Sequence, residues 1–329
     1  MRPFRYERAN DVSGAVALLA GTPNGAFLGG GTNLVDLMRL DVARPELLVD
    51  VRRLTSDRIE ELPDGRVRVG AAVPNSDLAA DPLIRARYPA VSEALLSGAS
   101  GQLRNLATTG GNLLQRTRCV YFQNVSTPCN KRDPGAGCSA IDGHHWDLAI
   151  LGASEACVAT HPSDLAVALV ALDAVVLTEG ADGERRIPIT ELHRLPDREP
   201  HRDTILQHGE LITAVELPPL PWATRSRYRK VRDRASYAFA LVSAVVVLDT
   251  ADGVVRDVRI GLGGVAHRPW RALVAEQALR GGPATEERFR QAAEAELAAA
   301  RPLPGNAFKV RLARNTLVRT LLDVNEGRR

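Results

Sequence analysis

Two glycine-rich segments and one group of cysteines carry the chemistry that can be read from this sequence. Gly29-Gly30-Gly31-Thr32-Asn33 follows the apolar Ala26-Phe27-Leu28 and precedes Leu34, Val35 and Leu37. Contiguous glycines permit positive φ and remove every Cβ, so successive backbone N–H groups can turn toward one anion. Thr32 and Asn33 add side-chain donors at the start of an expected helix, which suits a pyrophosphate. The contiguous glycines differ from the spaced G-x-G-x-x-G of a Rossmann unit. Ala107-Thr108-Thr109-Gly110-Gly111-Asn112 repeats this chemistry about eighty residues later. Neither loop has the Lys of a nucleoside-triphosphate loop. The pair therefore points to a dinucleotide held by backbone donors, with two unrelated tight turns as the alternative.

Cys119, Cys129, Cys138 and Cys157 fall within 39 residues of a 329-residue chain, spaced C-x9-C-x8-C-x18-C. Four thiolates can converge on an iron–sulfur cluster from wide spacings when a loop carries them. Zinc is the main rival, although the short C-x2–4-C knuckle of structural zinc sites is absent. Disulfides would suit an exported protein, and free thiols stay open as the plainest reading. Pro128, Pro134, Gly135 and Gly137 supply turns, and Arg116, Arg118, Lys131 and Arg132 would favour thiolate charge. His144 and His145 read as exposed loop residues, not ligands.

The elements that must position these residues follow from periodicity. Val12, Ala15, Val16, Leu18 and Leu19 predict an early amphipathic helix, and the segments 26–28, 46–51 and 66–73 read as strands. Pro89 opens a helix, and Ser163 to Leu172 predicts another that leads into a strand at 174–178. Residues from roughly 116 to 157 lack periodicity and are rich in Arg, Asn, Pro, Gly and His, so they read as an insertion that something must pin. Pro218-Pro219-Leu220-Pro221 marks a boundary. Beyond it, 237–248 and 254–262 predict a hairpin, and helices are expected near 270–280, 285–300 and 306–324.

Composition sets limits. Hydrophobic content of 45% and charged content of 25% are those of a globular protein, and no apolar run could cross a bilayer. Of the 42 basic residues only Lys131, Lys230 and Lys309 are lysines, and charges of both signs alternate without aromatic clustering, which argues against nucleic-acid binding. The N-terminus lacks the apolar core of a signal peptide. The expected home is cytoplasmic by default, or periplasmic if a signal-bearing partner carries the chain across.

Longer stretches bear a resemblance. GGGTNLVDLMR (29–39), VGAAVPNSDL (69–78), IRARYPAVSEAL (84–95), ATTGGNLLQ (107–115), HPSDLAVALVALDA (161–174), HGELITAVELP (208–218) and YRKVRDRASYAFALVSAV (228–245) resemble the FAD-binding medium subunits of the xanthine dehydrogenase and molybdenum hydroxylase family. The resemblance implies an α+β protein. A bilobed FAD-binding fold of the vanillyl-alcohol-oxidase type would span subdomains 1–58 and 59–220, followed by a carbon-monoxide-dehydrogenase-flavoprotein-like domain over 221–329. It implies that Leu28, Gly29, Gly30, Gly31, Thr32 and Asn33 wrap the FAD pyrophosphate, that Thr108, Thr109, Gly110, Gly111 and Asn112 line the opposite side, and that Asp164 bonds a flavin hydroxyl. Leu211 and Lys230 match positions beside the adenine and isoalloxazine. Asp164 could equally cap its helix, with Ser163 the better pure cap.

In most of the family the Gly-Gly-Asn loop runs closely into the Pro-Ser-Asp segment. Here 51 residues separate Asn112 from Asp164. That departure is similar to a subset typified by the flavin subunit of periplasmic aldehyde oxidoreductase and, more distantly, 4-hydroxybenzoyl-CoA reductase, and it implies a [4Fe–4S] cluster on Cys119, Cys129, Cys138 and Cys157, with zinc as runner-up. The implied partners are a molybdenum-cofactor large subunit, a [2Fe–2S] small subunit and an external electron acceptor. The implied role is that of an oxidoreductase subunit passing electrons from iron–sulfur centres through FAD. The alternatives are a stand-alone FAD oxidoreductase, the flavin subunit of a CoA-ester reductase, and a non-enzymatic metal-binding assembly module.

Overall fold

The computed structural model describes residues 1–328 and contains three sheets. The first is parallel, in the order β1 (Arg5–Arg8), β3 (Leu47–Asp50) and β2 (Gly25–Leu28). All four residues of β3 are buried, as a central parallel strand requires. The helix Val12–Ala20 starts where the Asp11 carboxylate accepts the Gly14 N–H at 2.7 Å, and it lays Ala15 and Leu19 on that sheet.

The second sheet is antiparallel. It joins β4 (Ile59–Glu61), β5 (Val67–Gly70), β8 (Leu211–Leu217), β6 (Val175–Gly180) and β7 (Gly183–Pro188), in that spatial order. The helix Asp164–Ala171 is buried from Leu165 onward, between the helix Pro89–Ser97 and the third sheet. A helix apolar on every face can exist only with packing on every side.

The third sheet runs from β9 (Ser226–Val231) through β10 (Val242–Ala251) and β11 (Val254–Gly263) to β12 (Trp270–Arg271). Helices Leu273–Leu279, Glu286–Leu297 and Phe308–Asn325 cover it. The hairpin forms around Asp252 and Gly253, both at positive φ (52° and 75°), as a two-residue turn with the twist of its strands requires. The strand expected from Tyr237 begins only at Val242. Tyr237 has φ 54°, and the Arg234 guanidinium donates to its carbonyl, so 232–241 form a loop.

The insertion has two short helical turns, Val120–Gln123 and Ser139–Asp142, and is otherwise irregular, as expected. Arg132, expected to favour thiolate charge, is engaged by the backbone of its own loop. Its guanidinium donates to the carbonyls of Tyr121, Phe122 and Thr127 and staples the loop. His145 is a correction: it is half-buried, its Nδ1 lies 3.1 Å from Ala140 O, and its Nε2 accepts the Gly305 N–H at 3.0 Å.

The far end of the insertion is held by the C-terminal domain. Lys309, fully buried, donates from Nζ to the carbonyls of Asp147 (2.8 Å), Leu148 (2.8 Å) and Gly264 (2.6 Å). Burial pushes its ammonium down to about 7. Lys309→Met would leave three carbonyls without this donor, and a loss of about 2–3 kcal/mol is expected in urea unfolding.

Candidate cofactor cleft

The two glycine loops face each other. A Cβ on Gly30 would overlap the Leu106 carbonyl oxygen and lie 2.7 Å from its carbon and 3.1 Å from Ala107 Cα. Thr108 Oγ1 stands 3.0 Å from where a Cβ of Gly29 would be and 2.9 Å from one on Gly111, and it accepts the Gly111 N–H at 3.2 Å. The loops therefore approach to backbone contact, which only glycine allows. Gly31 sits at φ 73°.

Between them opens a cleft of about 670 Å³, within the usual range for small-molecule sites. Gly29, Gly30, Gly31, Thr32, Asn33, Thr108, Gly110, Gly111, Asn112, Asp164, Leu211 and Lys230 all line it. Leu28 and Thr109 do not. Leu28 lies in the strand before the turn, where its carbonyl accepts the Val51 N–H. Thr109 is buried and gives its hydroxyl to Val73 O at 3.0 Å. Alternation through a turn sends one of two adjacent threonines inward, and composition alone did not say which.

Asn33 Oδ1 accepts the Arg116 N–H at 2.9 Å, while Asn33 Nδ2 is buried without a partner. An orphaned donor in a glycine cradle calls for an acceptor from outside the chain. Arg52, Arg104, Arg116, Arg118, Lys230 and Arg234 line the cleft against Asp164 and Glu210, so the walls favour an anion. Apart from Lys230, the sequence does not mark these cations for the cleft; Arg116 and Arg118 are expected beside the thiols instead. The cations come from scattered segments with no shared spacing to reveal them.

Asp164 does not cap its helix. Ser163 Oγ takes that role, accepting the Ala166 N–H at 2.9 Å and donating to Asn112 Oδ1 at 2.6 Å. The Asp164 carboxylate turns to the cleft, paired with Lys230 Nζ at 2.8 Å and accepting the Tyr228 hydroxyl. Burial and the adjacent Asp164 charge hold Tyr228 well above its ordinary value, so it stays a donor. Lys230 also donates to Ser97 O at 3.3 Å. The carboxylate is thus fixed in place and still faces open space.

All four cysteines share one apolar cluster with Phe122 and Leu148, and Cys119, Cys129 and Cys157 are buried. Cys129 and Cys138 face each other across an isolated antiparallel bridge. Burial pushes the Cys119 thiol up to about 11 and the Cys157 thiol up to about 12; the Lys131 ammonium acts the other way on Cys157. Among the described residues no three His, Cys, Asp or Glu side chains are gathered closely enough to hold one metal ion.

Beside the cleft, His161, His193 and His267 surround the Lys131–Asp203 ion pair. Burial is the main force holding all three imidazoles below 6.5, His267 down to about 4. Burial opposes ionisation of Asp203, but Lys131 and Arg116 outweigh it and keep its carboxyl low. Each group binds protons more readily when unfolded. Stability is therefore full above pH 6.5 and falls as pH drops toward 4. His267 alone accounts for about 3 kcal/mol of that loss. Melting temperatures at neutral pH and near pH ~5 should show the drop.

Comparisons with known proteins agree with this architecture. Residues 2–220 match the FAD binding domain in molybdopterin dehydrogenase, and residues 226–324 match the CO dehydrogenase flavoprotein C-terminal domain. The chain is 48% identical over 324 residues to the aldehyde oxidoreductase FAD-binding subunit PaoB of Escherichia coli, covering 98% of each chain. It is 26% identical to the carbon monoxide dehydrogenase medium chain of Hydrogenophaga pseudoflava, covering 97% of this chain and 96% of that one. The solved carbon monoxide dehydrogenase from the same organism superposes with a TM-score of 0.75 at 26% identity, covering 99% and 98%. Among the described residues no helix is long and apolar enough to cross a membrane. With facing glycine loops, an anion-favouring cleft and family matches over nearly its whole length, the chain belongs to the FAD-binding medium subunits of the xanthine dehydrogenase and carbon monoxide dehydrogenase family.

Proposed function

We propose that the cleft binds FAD and that the chain is the electron-transferring flavin subunit of a molybdenum-dependent hydroxylase complex, of the aldehyde oxidoreductase type. The observation that carries this is the pair of glycine loops in backbone contact, with Asn33 Nδ2 left unpartnered between them. The cleft suits a dinucleotide: backbone and Asn33 donors for a pyrophosphate, Leu211 and Phe27 as apolar wall, and Asp164 as acceptor for a hydroxyl. When bound, the flavin takes up one or two electrons and so links one-electron centres to a final acceptor. The chain's own residues bind and orient. Lys230 and Tyr228 hold Asp164 at one geometry, and Ser163 ties Asn112 to the same helix. No side chain here need touch the organic substrate, which would be oxidised on a molybdenum-cofactor partner, with a [2Fe–2S] partner between.

The finer reading is that Cys119, Cys129, Cys138 and Cys157 hold a [4Fe–4S] cluster. A purely thiol donor set in one buried cluster supports it. Zinc, at about 2.3 Å from each sulfur, demands a much tighter gathering than a cube that places its own atoms between its ligands. Cofactor analysis of the complex purified with its partners tests both readings. Stoichiometric flavin, molybdenum, and iron with sulfide beyond the partner's share are expected. Absent flavin absorbance would overturn the first reading, and zinc in place of the extra iron the second.

A further inference from the structure

The three histidines beside the cleft have tautomers set by the backbone. His193 Nε2 lies 2.8 Å from Leu113 O, so Nε2 carries the proton and Nδ1 is a bare lone pair. His267 Nδ1 lies 3.1 Å from Arg194 O, so Nδ1 is protonated and Nε2 bare. His161 Nδ1 accepts the Ser163 N–H at 3.3 Å, so its proton is on Nε2. The remaining three nitrogens, His161 Nε2, His193 Nδ1 and His267 Nε2, are all buried and all without a partner. The His193 and His267 side chains are 3% and 5% exposed, and the rings of His161 and His193 stand 4.3 Å apart, tilted by 69°. All three line one cavity of about 20 Å³.

We propose that His161, His193 and His267 form a buried site for a single water molecule. The water accepts from His161 Nε2 and donates to His193 Nδ1 and His267 Nε2. One donor and two acceptors are the complement of one water, and the cavity exceeds the roughly 10–15 Å³ that a water needs. Other occupants fit worse. A metal ion would need a lone pair on His161 Nε2, which would move the proton to Nδ1, against the Ser163 N–H. The Lys131 ammonium and Asp203 carboxylate in the same wall neutralise each other, so no net charge draws an ion in, and two bare lone pairs repel anions.

The site joins three distant segments. His193 holds the carbonyl that ends the second glycine-loop helix, His161 leads into the segment carrying Asp164, and His267 follows the last long strand of the C-terminal domain. The water therefore positions the Leu113–Gln115 wall, which the small cavity shares in part with the cleft. This inference depends on neither the flavin nor the cluster reading.

Diffraction from crystals of the complex, recorded above and below the zinc edge, tests it. One oxygen-sized peak within hydrogen-bond reach of all three nitrogens, without anomalous signal, is expected. An anomalous peak would assign a metal, and an empty cavity or a direct ring-to-ring bond would remove the water; either result overturns the proposal. His267→Leu is expected to lose the peak and melt lower by about 2 °C. His267→Gln, whose amide keeps an acceptor and a donor, is expected to restore both. A peak that persists unchanged in His267→Leu overturns the proposed hydrogen bonding.

Discussion

Gly30→Ala is expected to give folded protein that purifies nearly free of flavin. The new methyl would overlap the Leu106 carbonyl, and that carbonyl belongs to backbone fixed by the Ala107 N–H bond to Leu103 O. No rotamer can relieve a contact between Cβ and main chain, so one glycine loop must move by more than an ångström. Overpacking costs about 1–3 kcal/mol in itself. Each backbone donor displaced from a phosphate adds about 1.5–3 kcal/mol. Together these weaken flavin binding by about 1,000-fold. Flavin per chain, read from visible absorbance after gel filtration, checks the loss, and far-ultraviolet circular dichroism checks the fold. Gly101→Ala is the control, because a Cβ there meets nothing within 4 Å. Full flavin occupancy in Gly30→Ala would mean that the loops part at no cost and do not form the cradle.

Cys157→Ser is expected to strip the extra iron and sulfide from the chain while leaving flavin in place. Cys157 is buried beside Val158 and Ala159, and burial pushes its thiol up to about 12, so it ionises only with a positive centre to face. Serine is smaller, harder and far less acidic, and it cannot replace a thiolate on iron. Iron and sulfide analysis against the unaltered complex reads the result. Unchanged iron would move the cluster off this chain. Cys129→Ser separates two uses of the same metal. A folded complex with full turnover would refute the relay of electrons and leave only a structural use for the cluster.

Contiguous glycines between apolar runs announced both loops, because only backbone-to-backbone approach demands that composition. Ser163 was legible as a cap from its place before an apolar helix. The buried helix Asp164–Ala171 followed from an unbroken apolar run. The strand expected at Tyr237 was misplaced, because β-propensity says nothing about a guanidinium that holds the Tyr237 carbonyl in a loop. Thr109 was credited to the cleft, yet its hydroxyl serves Val73 O. The composition of the insertion does not reveal that Arg132 binds three carbonyls of its own loop.

Local order in the chain determined the glycine turns and the helix caps, because each depends on neighbours within a few residues. The folded chain alone decided that Asn33 keeps an unpartnered donor, that Lys230 and Tyr228 meet Asp164, and that three histidines enclose one small cavity. Those contacts join residues dozens to over a hundred positions apart. Their strength comes from exclusion of water, a property no segment has until the others close around it.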